Sequence, residues 1–507
     1  MARTIRHLLL AAAAALILIG AVATAESAAA PSKLDTAVAD AEPFAPDNMD
    51  LSLPHVKRVG ANAVRLYLSW RVLLKNPEAA SKPAGMNAAN PADPNYDFAG
   101  LDRQVFQLRA KGLEPIFNFE SAPFWAERTH GGWDGGTNSP DPAEYGQFAK
   151  AVALRYSGTF RDPDGDPLPR VRYYQAWNEP NFYRHLNPQY EVNKPDASVS
   201  PQATVPPNTP FQSADVYRGL LNAFADSVHS VHPDNLVIAG GLSTPGRPFR
   251  QSPAISPLVF MKALLCLNAQ NQQLPGCNQQ AHFDVWSMHP YTSGSPEHHS
   301  ADPNDVSIPE LPNVQATLRA ANSLGQIVST NPLQFWVTEF SWDTNPPDPG
   351  AVPMKLAQRW VSEALYRMWS SGVSLVTWFE IRDQASNGSF PDTFQSGLYF
   401  MCAGGIGCDK PKPTVEAFRF PFVAYKKGKK VQIWGRTPFG KRGKVTIEQK
   451  SGGKYKKLKT LKTSGHGLFK KVLRAKGGGD LRARLGKESS VPFSLKVPAD
   501  RPGNPFG

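Results

Sequence analysis

The chain has 507 residues, 41% hydrophobic, 10% aromatic and 19% charged, with 47 prolines and 40 glycines. That length exceeds one ordinary domain and predicts two or three with sizeable cores, and the composition excludes a fibrous or disordered chain. The formal net charge of +12 describes neither part of it: residues 26–423 carry 30 Lys and Arg against 39 Asp and Glu, net −9, whereas residues 424–496 carry 22 against 3, net +19.

At the N-terminus, Arg3 and Arg6 precede an apolar run over 8–23 that closes in Ala23-Thr24-Ala25. Basic start, short apolar run and small-residue site read as a secretory signal over 1–25, removed on export. The other reading, a membrane anchor, is weaker because the run is shorter than the roughly 20 residues a span needs. The mature protein is therefore expected to be extracellular and not membrane-spanning.

From about residue 34 to 384, short apolar runs alternate with amphipathic stretches. Strands are expected at 34–39, 63–68, 113–119, 171–177, 236–242, 283–289, 335–338 and 375–379. Between them, Phe98, Leu101, Val105 and Leu108 recur at helical spacing ahead of Gly112, and similar segments cover 142–156, 214–232 and 354–371. Only 41–53, after the first strand, has little helical periodicity. Eight strands alternating with helices imply parallel pairing closed into a (β/α)8 TIM barrel, over residues 26–423.

Barrel enzymes do their chemistry past the carboxyl ends of the strands. The fourth strand runs into Trp177-Asn178-Glu179-Pro180, and the seventh into Thr338-Glu339-Phe340. Glycosidic bonds are broken by two carboxylic groups, one donating a proton to the leaving oxygen and one supporting the anomeric carbon. A lone glutamate would default to a surface ion pair; two that follow apolar strands at barrel positions point to that chemistry. Glu120, Glu380 and Asp383 also follow strands and are held as possible substrate-binding groups, Glu380 with its side chain on the other face from its neighbours.

These residues, with His289-Pro290-Tyr291 after strand six and Trp378 on strand eight, resemble the glycoside hydrolases of clan A, with most likeness to families 39 and 5. The resemblance spans roughly residues 34–420 and does not reach the basic tail. It implies a retaining double displacement with Glu179 as acid/base and Glu339 as nucleophile, on a carbohydrate substrate and without a cofactor. Glu179 must then carry a proton at working pH, which partial burial and the charge of Glu339 favour. Asn178 would bind the sugar 2-hydroxyl. Tyr291 and Arg65 would hold Glu339 ionised, Trp378 would form a platform under the ring, and His289 would bind a hydroxyl or Glu179. The rival reading is a carbohydrate-binding barrel or wall-associated adhesin without catalysis.

Four cysteines pair by spacing and by an oxidising exterior, Cys266 with Cys277 and Cys402 with Cys408, as two loop staples; neither pair has the C-x-x-C form of a zinc site. Glu297-His298-His299 with His289 and Asp302 suggests metal ligands, but the spacing is not H-E-x-x-H and the surroundings read as a loop, so no metal is expected.

Residues 424–507 form a basic β-domain, with strands expected at 430–436, 444–449, 455–460, 468–474, 481–485 and 492–497 between glycine-rich turns, hence a small all-β sandwich. Its lysines would attract an anionic cell-wall polymer or serve as a solvated spacer. Its aromatics form no stacking array, so specific nucleic-acid binding is not expected.

Overall fold

In the computed structural model the described residues are 30–502, apart from 130–134, 163, 192–202, 207–208, 248, 250–251, 387, 391 and 476–477. The signal segment expected over 1–25 lies outside them. Among the described residues no helix is long and apolar enough to cross a membrane.

Eight parallel strands close into a barrel: β1 Asp35–Ala39, β2 Ala63–Ser69, β3 Glu114–Glu120, β4 Tyr173–Ala176, β5 Leu236–Leu242, β6 Val285–Met288, β7 Gln334–Val337 and β8 Leu375–Phe379, with β8 paired back to β1. The outer ring comprises α1 Met49–Val59, α2 Ala99–Ala110, α3 Pro142–Arg155, α4 Ser213–Val231, α5 Pro257–Leu264, α6 Leu311–Ser323 and α7 Met354–Ser370, followed by the short α8 Thr414–Arg419. Their starts and stops follow local chemistry. Asp141 caps α3 by accepting from the Ala143 and Glu144 amides at 2.8 and 3.2 Å, with Pro142 in the first turn. Gly60 ends α1 in the left-handed region at φ 75°.

Side-chain alternation divides the barrel radially. Outward residues such as Val38, Val64, Phe117 and Val376 join the helix layer, while Ala37, Ala63, Ile116, Ile238, Val285, Trp336 and Leu375 form a separate apolar plug in the lumen. Further up the same inward rows come fully buried polar residues, Arg65, Asn118, Gln175, Ser287 and Thr377, and above these the mouth.

The chain passes from α8 almost directly into two small antiparallel sheets. One pairs β9 Phe422–Lys427, β10 Lys430–Arg436 and β13 Leu468–Leu473; the other orders β12 Lys454–Lys462, β11 Lys444–Ser451, β14 Leu481–Leu485 and β15 Glu488–Ser489. The expected strand at 492–497 does not form: Pro492 has no amide proton, and only Phe493 bridges, exchanging hydrogen bonds with Leu481 at 2.7 and 3.0 Å. The sandwich sits on α7. Trp434 packs on Tyr366 and Trp369 with ring centroids 5.5 and 5.4 Å away, and the Arg359 guanidinium lies 4.1 Å over Phe493. Buried Arg436 reaches Asn62 below the barrel at 2.9 Å. The helix-layer core continues without a break into Ile433, Val445, Ile447 and Leu481. Both expected disulfides form, Cys266–Cys277 and Cys402–Cys408.

Candidate active site

The carboxyl end of the barrel gathers two glutamates around one imidazole. His289, directly after β6, places Nδ1 2.9 Å from Glu179 Oε1 and 2.8 Å from Glu339 Oε2. Glu339 is a carboxylate, so Nδ1 carries the proton and donates to it; Nε2 lies 3.1 Å from Thr338 Oγ1. The nearest Glu179 and Glu339 oxygens lie within 4.8 Å of one another.

Glu179 is aimed by an unusual backbone. Trp177 and Glu179 both adopt positive φ, 67° and 39°, a conformation that costs non-glycine residues about 1–3 kcal/mol each. Surrounding bonds hold it. The Trp177 amide donates to Phe119 O at 3.0 Å, its indole to His185 O at 2.7 Å, and the Glu179 amide to Gly241 O at 3.2 Å. Gly241 is itself required: a Cβ there would lie 2.7 Å from Gln175 Nε2 and 3.2 Å from His289 Nε2.

Glu339, two residues beyond β7, is 7% exposed yet ionised. Burial raises its proton affinity, but the positive charge of His289, the His289 hydrogen bond, Arg65 and the Tyr67 hydroxyl outweigh it and hold the carboxyl well below the usual range. Tyr67 donates to Oε1 at 2.7 Å, and Arg65 Nη1 stands 4.0 Å from Oε2. For His289, burial favours the neutral ring, but the charges of Glu339 and Glu179 and its bonds to them shift it upward. Arg65 is a hub: Nη2 donates to Asn178 Oδ1 at 2.7 Å and Asn118 Oδ1 at 3.0 Å, and Nε to Gln175 Oε1 at 3.0 Å.

Arg65, Asn178, Glu179, His289 and Glu339 thus converge. Tyr291 belongs to the same neighbourhood, its hydroxyl pushed up by burial and by the charge of Glu339. Glu339 also accepts a bond from Tyr67, which strand alternation alone would have placed at the mouth beside Arg65. Trp378 is corrected. It is 1% exposed and faces the helix layer, its ring centroid 5.1 Å from Phe340 and 6.0 Å from Phe418, its indole donating to Ser396 O at 2.8 Å. Alternation turns the next residue inward, so Phe379 faces the mouth, against Tyr67 and Phe394.

His185, unanticipated from sequence, lies 2.9 Å from Glu120 Oε2 and 3.6 Å from Glu179 Oε2. Burial opposes its charge, but Glu120, with Glu179 and Glu339 behind it, raises it to about 9. Glu380 is buried, accepts from Gln384 Nε2 at 2.8 Å, and is pushed up to about 10 by burial and by the charge of Asp40. Asp383 does not reach the mouth; it pairs with buried Lys412 at 2.6 Å. The histidine loop does not converge either: His298 turns to Asp500, His299 to Glu310 and Glu297 to Arg367. Among the described residues, the one cluster of three donors that could hold a metal is Glu179, His289 and Glu339, where the His289 N–H already occupies the space between the carboxylates. A cavity of about 550 Å³ opens beside Tyr67, lined among others by Asp40, Phe44, Ser69, Asp97 and Gln104.

No family model matches the sequence, and no curated protein matches it. Solved structures similar to it include a GH39 enzyme from Xanthomonas axonopodis pv. citri (14% identity over 89% of this chain and 93% of that one, TM-score 0.47). Others are a GH39 β-xylosidase from Caulobacter crescentus (14%, 83% and 84%, TM-score 0.46) and an endo-β-1,4-mannanase from Thermotoga petrophila (12%, 91% and 97%, TM-score 0.39).

Proposed function

We propose that the protein is an exported retaining O-glycoside hydrolase acting through Glu339 and Glu179. The observation that carries this reading is the carboxylate pair bridged by His289 Nδ1, with oxygens within 4.8 Å at the ends of β4 and β7. Retaining enzymes hold their carboxyls about 5–5.5 Å apart and inverting ones about 6.5–9.5 Å, to admit a water. Two carboxyl groups whose oxygens lie 2.9 and 2.8 Å from one imidazole nitrogen support the shorter separation.

In the first step the Glu339 carboxylate attacks the anomeric carbon while Glu179 gives its proton to the departing oxygen. The C–O bond to the aglycone breaks and a glycosyl ester forms. The neutral ester no longer attracts the His289 proton, so that hydrogen bond passes to the newly formed Glu179 carboxylate. In the second step Glu179 takes a proton from water as the water oxygen displaces Glu339 from the same carbon. Asn178 Oδ1 is fixed by Arg65, which leaves its amide nitrogen to meet the sugar 2-hydroxyl, and Phe379 supplies the apolar platform. The Ala23-Thr24-Ala25 site and the two disulfides support export.

The binding-only reading is disfavoured by the backbone at Trp177 and Glu179, whose strain a carbohydrate platform would not need. Glu339→Gln should abolish turnover. Glu179→Ala should lose about 10²–10⁴-fold on substrates with poor leaving groups, and less on aryl glycosides that need no acid. Nuclear magnetic resonance of the first-formed sugar should show the substrate's anomeric configuration. An unchanged rate in Glu339→Gln would refute the assignment, and an inverted product would refute retention.

A further inference from the structure

One sheet face of the basic domain gathers cations from three strands: Lys444 on β11, Lys457 and Lys462 on β12, and Arg482 and Arg484 on β14. Edge strand β12 exposes Lys454, Lys456, Lys457, Lys459 and Lys462. Lysine on an edge blocks strand addition by another chain, and that role would account for β12 alone. It does not account for the inner strands. The register sets Lys444 opposite Lys462 and Glu448 opposite Lys457, with Arg482 and Arg484 facing Glu448 and Thr446 from the other side. Opposed residues share a face, so these cations lie together, turned away from buried Val445, Ile447, Leu481 and Ala483.

Like charges directly opposed, as Lys444 and Lys462 are, destabilise a sheet. The acid on this face, Glu448, is taken by Arg482 Nε at 2.8 Å and Arg484 Nε at 2.9 Å. Among the described residues the lysines of the face make no ion pair. Such a surface suits a polyanion lying across it, with Lys444 and Lys462 about 5 Å apart on neighbouring strands and Arg482 and Arg484 about 7 Å apart along β14.

The chemistry narrows the partner. Tyr455, on the same face, is covered by the Arg482 guanidinium, 3.8 Å from the ring centroid, which removes the open stacking platform that single-stranded nucleic acid uses. A flat sheet face also offers no helix or two-stranded ribbon to enter a duplex groove. A poly(alditol phosphate) is joined by phosphodiesters and holds no backbone bond for the Glu179–Glu339 pair to cut. A polysaccharide does, and one polymer then occupies both surfaces. Resting on the glycosidase reading for this choice of polymer, we propose that the β11–β12–β14 face binds a linear polysaccharide bearing carboxylates. The sheet holds its uronate residues, and the barrel, where residues 26–423 carry net −9, acts on uncharged sugars of the same chain.

The test uses the full chain and a variant combining Lys444→Gln, Lys457→Gln, Lys462→Gln and Arg484→Gln. Binding to polygalacturonate, neutral dextran, poly(glycerol phosphate) and duplex DNA is measured at low and moderate salt. Wild-type affinity for polygalacturonate should fall about tenfold or more between ~50 and ~200 mM salt, by counterion release. Dextran should not bind, and the variant should bind polygalacturonate at least about tenfold more weakly while hydrolysing an aryl glycoside at the wild-type rate. Undiminished binding by the variant, equal binding of dextran, or tighter binding of DNA or poly(glycerol phosphate) overturns the proposal. Salt-dependent polygalacturonate binding in a wild-type protein that hydrolyses no glycoside overturns the glycosidase reading alone.

Discussion

At the scale of single residues the site is a balance of charge around His289, and its second imidazole makes that balance measurable. His185 rises from about 6.5 to about 9 on folding, chiefly because Glu120 overcomes the penalty of burial. A histidine whose folded value is raised contributes stability that is fully present below its unfolded value and lost as pH rises through the folded one. The melting temperature of wild type should therefore exceed that of His185→Gln most below about pH 6.5, and the difference should close above about pH 9. A difference independent of pH would mean that His185 is uncharged in the folded protein. Sequence reasoning reached Glu179 and Glu339 because each follows an apolar run. It missed His185, which sits in an irregular loop where no periodicity fixes direction, and it turned Trp378 to the mouth, which Phe379 faces instead. In a strand a one-residue slip turns a side chain to the opposite face.

The elements bring their own dependence. All eight barrel strands were legible within a residue or two, because parallel strands buried on both faces read as apolar runs. Less legible were α1, whose helix starts only at Met49, and β9, whose first residues precede the charge boundary at 424. Contacts among the loops after β7 and β8 were not legible, since they join residues far apart in sequence. Lys412, fully buried, donates to Asp383 Oδ1 at 2.6 Å, Thr344 Oγ1 at 2.8 Å and Gln395 O at 2.8 Å, tying together the loops that carry Glu339 and Phe379. Lys412→Met would leave Asp383 buried with its charge unpaired, a loss of about 3–5 kcal/mol in denaturant unfolding. Adding Asp383→Asn should recover part of that loss, and a double variant no more stable than Lys412→Met would show that the pair is not the cause.

For the whole molecule, the interface between barrel and sandwich matters most. Trp434, Tyr366 and Trp369 share one apolar core, Arg436 reaches Asn62, and Asp500 returns to the loop after β6, accepting from the Ser295 amide at 2.9 Å. Domains joined in this way should unfold together. Scanning calorimetry of the full chain should give one transition, and two resolved peaks would show the interface to be weak.

That shared core bears on where the chain can be cut. Ending it after α8 would strip the cover from Tyr366 and Trp369, which pack against Trp434 on the flank of α7. The charge boundary near residue 424 looks like an invitation to truncate, yet a barrel trimmed there would carry a bare aromatic patch and tend to self-associate. The lysines beyond the boundary belong to the piece that keeps that patch dry.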